Sequence, residues 1–272
     1  MFSDFTHEPA IKLSENLIKI LPENQNRIFF NDNGSTAVEA GIKMALQYYF
    51  NLGEKRSTFI AFENGFHGDT FGAMSVSGLS VYNGPFEDFL MKVERIPTPD
   101  EENHQEILNQ LEKIVYQNKV AGFIYEPIIQ GAAGMKIHNT NGLNEILKFC
   151  KTNDILTIAD EVMTGFGKTG RNFASDFIET KPDIICLSKA LTGGLVPLAI
   201  TSCTEKIYEA FLSNEMAKGF FHCHTYSANP IACAVSNSAI EFLQTDEIQQ
   251  NINTISESHK QFEEQSIKHP TV

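Results

Sequence analysis

Pro182-Asp183-Ile184-Ile185-Cys186-Leu187-Ser188-Lys189-Ala190-Leu191-Thr192-Gly193-Gly194 sets a lysine just beyond a short apolar run. A run of this composition reads as a strand buried on both faces. The carboxyl ends of such strands open on a crevice where ligands collect. Ile155-Leu156-Thr157-Ile158-Ala159 ends in the same way, on Asp160. The two runs therefore predict an amine and a carboxylate at neighbouring strand ends.

Each residue alone has an ordinary reading, the lysine as a solvated strand end and the aspartate as a helix cap. A motif stays a hypothesis until its context agrees. As a pair they suit pyridoxal phosphate, which needs a lysine amine for its aldehyde and an acid beside its ring nitrogen.

Further strand-like runs span Arg27 to Asn31, Thr58 to Phe62, Val120 to Glu126, Leu156 to Asp160, Ile184 to Leu187 and Leu198 to Ser202. Between them lie amphipathic segments such as Gln105 to Val115, where Ile107, Leu108, Leu111, Ile114 and Val115 recur at helical spacing. This alternation predicts an α/β fold with a largely parallel sheet flanked by helices. Leu187 and Leu198 stand too close for a parallel crossover. The run Leu198 to Ser202 should therefore be antiparallel, with Lys189 in a tight connection. A helix from about Asn229 to Leu243 precedes a polar stretch, so the large domain is read as 1–243 and a second unit as beginning at 244–272.

The 272 residues carry 42% hydrophobic and 20% charged residues, ordinary for a globular chain, and a formal charge of −13. That charge disfavours nucleic acid and anionic membrane surfaces as partners. Cys150, Cys186, Cys203, Cys223 and Cys233 form no Cys-x-x-Cys pair. Reduced thiols and a cytoplasmic location are the expectation. The start, Met1 to Pro9, has neither the basic nor the apolar part of a signal peptide.

Asn31-Asp32-Asn33-Gly34-Ser35-Thr36-Ala37-Val38-Glu39 follows a strand and opens a helix on which Val38, Ile42, Leu46 and Tyr49 share a face. Thr36 and Glu39 fit a capping box, which leaves Gly34 and Ser35 to offer amides and a hydroxyl to an anion. An ordinary helix cap is the competing reading. Gly165-Phe166-Gly167-Lys168-Thr169-Gly170-Arg171 imitates a nucleotide phosphate loop, but Val162 stands where that motif requires glycine. His222-Cys223-His224 has no second cluster to complete a metal site, so no metal is expected.

Taken together, Thr157 to Gly167 followed by Pro182 to Gly194 resembles the class III, fold-type I, pyridoxal phosphate aminotransferases. Asn64-Gly65-Phe66-His67-Gly68-Asp69-Thr70-Phe71-Gly72, Lys43 to Tyr49 and Glu126 to Met135 are similar to the biotin-pathway branch of that class. The resemblance implies a fold-type I large domain in which Lys189 bonds the cofactor and Asp160 faces its ring nitrogen. It further implies that Gly34 and Ser35 hold the phosphate and that Phe66 stacks on the ring. His224 and Thr225 match positions reaching the phosphate from the other subunit of a homodimer, and Cys223 a position near substrate. S-adenosylmethionine is the amino donor that the branch implies, with lysine, which some relatives use, as the alternative, and a keto acid is the acceptor.

Two residues depart from the branch: Phe66 stands where tyrosine is usual, and Cys223 where glycine is usual. Phenylalanine keeps ornithine-like or acylornithine-like substrates open. Family members also run longer at both ends, which implies a fragment lacking terminal substrate-binding residues. A chain that holds cofactor without turnover stays open as well.

Overall fold

The structure, a computed structural model, describes residues 5–80 and 83–267. Residues 1–4, part of the leader reading, and 268–272, the end of the expected second unit, lie outside these.

Helix α1 (Glu8–Ile20) leads into β1 (Arg27–Asn31), and β1 into α2 (Gly34–Asn51). Strand β2 (Thr58–Phe62), the short α3 (Phe71–Val76) and β3 (Val93–Ile96) follow, then α4 (His104–Gln117) and β4 (Val120–Tyr125). A small hairpin, β5 (Ile129–Gln130) with β6 (Lys136–Ile137), precedes α5 (Thr140–Thr152) and β7 (Leu156–Asp160). Strands β8 (Ile184–Leu187) and β9 (Ala199–Cys203) complete the sheet, followed by α6 (Glu205–Glu209), α7 (Pro230–Leu243) and α8 (Asp246–Ser266).

The main sheet runs β1-β9-β8-β7-β4-β2-β3. Strand β9 is antiparallel to both its neighbours and the remaining pairs are parallel, as the short connection after Leu187 requires. Register places Asp160 opposite Cys186 and Leu187 opposite Ile200, so Asp160 and the connection holding Lys189 leave the sheet at one edge.

Helices cover both faces, which explains why the central strands are apolar throughout. On one face Leu13, Leu17, Ile107, Leu111 and Ile146 pack on Phe62, Phe123 and Tyr125. On the other Val38, Ile42 and Tyr49 pack on Phe59, Ile124 and Ile158. Each such fully buried side chain contributes about 1.5–3 kcal/mol.

Two local expectations need correction. The capping box of α2 is formed by Asn33 and Thr36, where Asn33 Oδ1 accepts from Thr36 N at 3.1 Å and Thr36 Oγ1 accepts from Asn33 N at 3.1 Å. Glu39 instead turns outward and accepts from the amides of Gly72 (2.7 Å) and Ala73 (3.2 Å), capping α3. The helix consequently starts at Gly34, ahead of the expected cap. Leu198 precedes the last strand, which spans Ala199–Cys203. Edge strand β3 escaped the reading because Glu94 and Arg95 interrupt its apolar pattern; Arg95 is tied back by bonds to the Ser75 and Ser77 carbonyls.

Candidate active site

Asp160 ends β7 and is buried. Its Oδ1 accepts from the Val162 amide at 3.1 Å, and its Oδ2 pairs with His67 Nδ1 at 2.7 Å. A carboxylate only accepts, so the ring proton belongs on Nδ1. His67 lies in the Gly65-to-Gly68 turn beyond β2, with its amide donated to Ser77 Oγ at 2.9 Å. Two donors from different elements therefore fix the carboxylate's orientation. Sequence reasoning had passed over His67; its signal was a histidine next to glycine just past a buried strand.

Lys189 leaves β8 with φ of 47°, in the left-handed region that side chains other than glycine seldom adopt. Such a conformation costs on the order of 1 kcal/mol and persists where the surroundings impose it. Here Ser188 Oγ donates to the Leu198 carbonyl at 2.9 Å and Thr192 Oγ1 to the Val196 carbonyl at 2.6 Å, closing the connection on itself. From α7, Ser236 Oγ donates to the Leu191 carbonyl at 2.7 Å. The lysine thus springs from a braced turn, as a reactive side chain needs.

Gly34 and Ser35 are the first two residues of α2, whose amides precede the first intrahelical bond, Ala37 N to the Asn33 carbonyl. These amides and the positive helix end suit an anion. Close packing keeps the cradle open: a Cβ on Gly34 would come within 2.9 Å of Val162 Cγ1. One on Gly68, whose φ is +127°, would stand 2.2 Å from Ser35 Oγ. Phe66 is 47% exposed, so its ring has a free face, while its amide donates to Glu126 Oε2 at 3.2 Å. Glu126 Oε1 accepts from Gly131 N at 3.0 Å, and burial raises this carboxyl above its ordinary value.

One cavity of about 760 Å³ gathers Gly34, Ser35, Phe66, Asp160 and Lys189. That volume lies in the range of small-molecule sites. His67 and Glu126 line it too, although the sequence singled out neither.

Cys223, His224 and Thr225 do not line this cavity. Cys223 and Thr225 are exposed, and His224 donates its amide to Ser227 Oγ at 3.1 Å. Their segment rests on α2 through Lys43 Nζ and His222 Nδ1, 2.9 Å apart, and burial lowers the His222 pKa below its ordinary value. The glycine-rich stretch Gly165 to Arg171 forms turns that open no helix. Gly167 and Gly170 lie against Ile252 and Ser256 of α8, so close packing accounts for these glycines. Glu161, next to Asp160, points into the protein and accepts from Ser175 N at 2.7 Å and Ala174 N at 3.0 Å. Burial raises its pKa, and its place is in holding that turn. All five cysteines are free, and among the described residues no helix is long and apolar enough to cross a membrane.

A strand-end amine, an oriented carboxylate, an anion cradle and an aromatic wall around one cavity can hold a phosphorylated ring and bring a base to it. The adenosylmethionine-8-amino-7-oxononanoate aminotransferase of Synechococcus elongatus is 44% identical over all of this chain, which covers 66% of that protein. The enzyme of the same name from Staphylococcus aureus is 42% identical over 91% of this chain and 58% of its own length. The crystal structure of its Methanocaldococcus jannaschii counterpart superposes with a TM-score of 0.87 at 38% identity, covering 92% of this chain and 58% of that one. The chain thus spans less than two thirds of these relatives. The family model for class-III aminotransferases matches residues 1–270, and the chain belongs to that family.

Proposed function

We propose that this chain forms the cofactor-binding part of a pyridoxal-phosphate-dependent aminotransferase that converts 8-amino-7-oxononanoate to 7,8-diaminononanoate in biotin synthesis, with S-adenosylmethionine as donor. The observation that carries the reading is the convergence of Lys189, Asp160, Gly34, Ser35 and Phe66 on one cavity. The residues fit the cofactor: the gap left by the missing side chains of Gly34 and Gly68 gives room at a helix start, and the carboxylate and amine leave adjacent strands.

Pyridoxal phosphate, when bound, supplies an aldehyde for the donor nitrogen and a ring that takes up electrons from C–H cleavage. Gly34 and Ser35 hold its phosphate. Asp160, oriented by His67 and Val162, presents its carboxylate to the ring nitrogen. Lys189 Nζ would hold the cofactor at its aldehyde and would move a proton at the donor carbon. Phe66 covers one ring face. His224 and Thr225 reach the phosphate of a second copy in a homodimer, and Cys223 approaches substrate there. The second domain begins at 244. Phe66, lacking the branch's hydroxyl, favours one alternative, an omega-aminotransferase acting on ornithine-like amines.

Adding pyridoxal phosphate should give a yellow protein, and borohydride followed by peptide mapping should place the label on Lys189. Lys189→Ala should abolish label and slow amino transfer by about 10³-fold. A label on another lysine with turnover retained would overturn the assignment.

A further inference from the structure

Nε2 of His67 and Oε1 of Gln130 are both buried without a hydrogen-bond partner among the described residues. The first is the far nitrogen of the ring whose Nδ1 pairs with Asp160 at 2.7 Å. The second is an acceptor on a side chain only 1% exposed. A Cβ on Gly65 would stand 3.2 Å from His67 Nε2 and 3.6 Å from Gln130 Nε2, so both side chains border one spot that glycine keeps clear. The Phe62 carbonyl, 3.4 Å from that point, already accepts from the Gly65 amide.

Gln130 is anchored where such a contact needs it. Its Nε2 donates to the Glu63 carbonyl at 2.8 Å, at the start of the turn that carries Phe66 and His67. Turning about that anchor carries Oε1 towards the imidazole. With Nε2 of Gln130 committed to Glu63, only donation from the ring satisfies both lone atoms, because an amide oxygen can only accept. A buried polar group left unpaired is costly, which favours the pairing. Donation from both ring nitrogens makes the imidazole a cation. Two carboxylates match that charge: Asp160 at Nδ1, and Glu126, whose carboxyl burial raises and the His67 charge draws back down.

We propose that Gln130 is a positioning residue of this site: its Oε1 accepts the proton of His67 Nε2, directly or across one water, so that the imidazole is held at both ends and sets a fixed positive charge against the Asp160 carboxylate. This rests on the amino-transfer reading, in which that carboxylate faces the ring nitrogen of the cofactor. Gln130 touches neither cofactor nor substrate and acts through His67 and Asp160.

Proton–nitrogen correlation spectra of cofactor-loaded protein labelled with 15N-histidine count the protons on His67 directly, its signals being assigned by their loss in His67→Gln. At pH 7 the unaltered protein should show a proton on both ring nitrogens. Gln130→Met, similar in length but without the oxygen, should lose the proton on Nε2. Gln130→Glu keeps an acceptor but cannot donate to the Glu63 carbonyl, and it should retain both. The first half-reaction should slow about tenfold in Gln130→Met with the donor KM unchanged, as for one buried hydrogen bond lost, and recover in Gln130→Glu. A single proton on His67 in the unaltered protein overturns the proposal, as do two protons in Gln130→Met. Loss of the Nε2 proton in both variants also overturns it, since Gln130 is then only a brace for the Glu63 turn. Should Gln130→Met not fold, Gln130→Glu decides: both protons kept supports the proposal and a lost one overturns it. A one-proton His67 in protein whose Lys189 takes the borohydride label sinks only this role, whereas an unlabelled Lys189 sinks the amino-transfer reading and leaves the proton count on His67 standing.

Discussion

Asp160 and Thr225 are both expected to touch the same cofactor, yet the chain treats them differently. Asp160 sits on a central strand, buried, with both oxygens bonded from elements that the sheet holds in register. Thr225 lies exposed in an irregular segment tied to α2 by Lys43 with His222 and, further back, by Gln47 and Asn51, which donate to the Gly219 and Lys218 carbonyls. The first position is complete within one chain, while the second acquires a task only if another copy supplies the cavity. In the proposed reading, chemistry is carried by sheet ends and assembly by an exposed segment.

The largest effect should come from the complete position. Asp160→Asn keeps the shape but replaces a charge with an amide, and His67 Nδ1 then faces a neutral group. Loss of one preorganised electrostatic partner of this kind lowers rate by about 10²-fold. The rate of the first half-reaction, followed by the cofactor's visible band, checks this. His67→Gln should give a smaller loss with cofactor binding retained, because it acts only by orienting Asp160. Equal losses for the two variants would mean that His67 touches the reacting groups itself.

What the sequence disclosed follows the same division. The placement of Lys189 and Asp160 at neighbouring strand ends was legible because an apolar run of four or five residues ending in a charged one has few readings besides a buried strand opening on a crevice. The antiparallel strand β9 was legible from connection length alone. His67 was not, because its task depends on β2 lying next to β4 and β4 next to β7, which no local pattern encodes. The α2 cap was misread because Asn33 and Thr36 satisfy the same chemistry as Thr36 and Glu39, and Glu39 had a tertiary use on α3 that only packing reveals.

Acid should act on the sheet side before it acts on the chemistry. His138, just beyond β6, is 5% exposed and packs edge-on to Phe62 with ring centroids 5.3 Å apart. Burial, aided by the Lys136 charge, lowers its pKa from 6.5 to about 4. The unfolded chain takes up this proton below its ordinary pKa while the native protein resists until about pH 4. Stability from this group is thus full above the ordinary value and is lost as pH falls towards the native one. Between pH 7 and pH 5 the loss is about 2 kcal/mol. Urea unfolding at the two pH values should show it, and His138→Phe should flatten the difference. A slope left unchanged by the substitution would assign it to other groups.

The smallest effect belongs to the exposed segment and tests the comparison most directly. Thr225→Ala removes one hydroxyl that bonds nothing within its own chain's cavity, so the melting of cofactor-free protein should not move. If the homodimer reading holds, the hydroxyl bonds a phosphate across the interface, and a hydrogen bond to a charged group contributes about 1.5–3 kcal/mol. Cofactor should then dissociate about tenfold more readily at protein concentrations that favour the dimer, with the gap closing on dilution as both proteins lose the contact. Titration of the visible band at several protein concentrations separates the outcomes. A concentration-independent tenfold loss would place Thr225 in its own chain's site, and the division between sheet ends and assembly segment would fail.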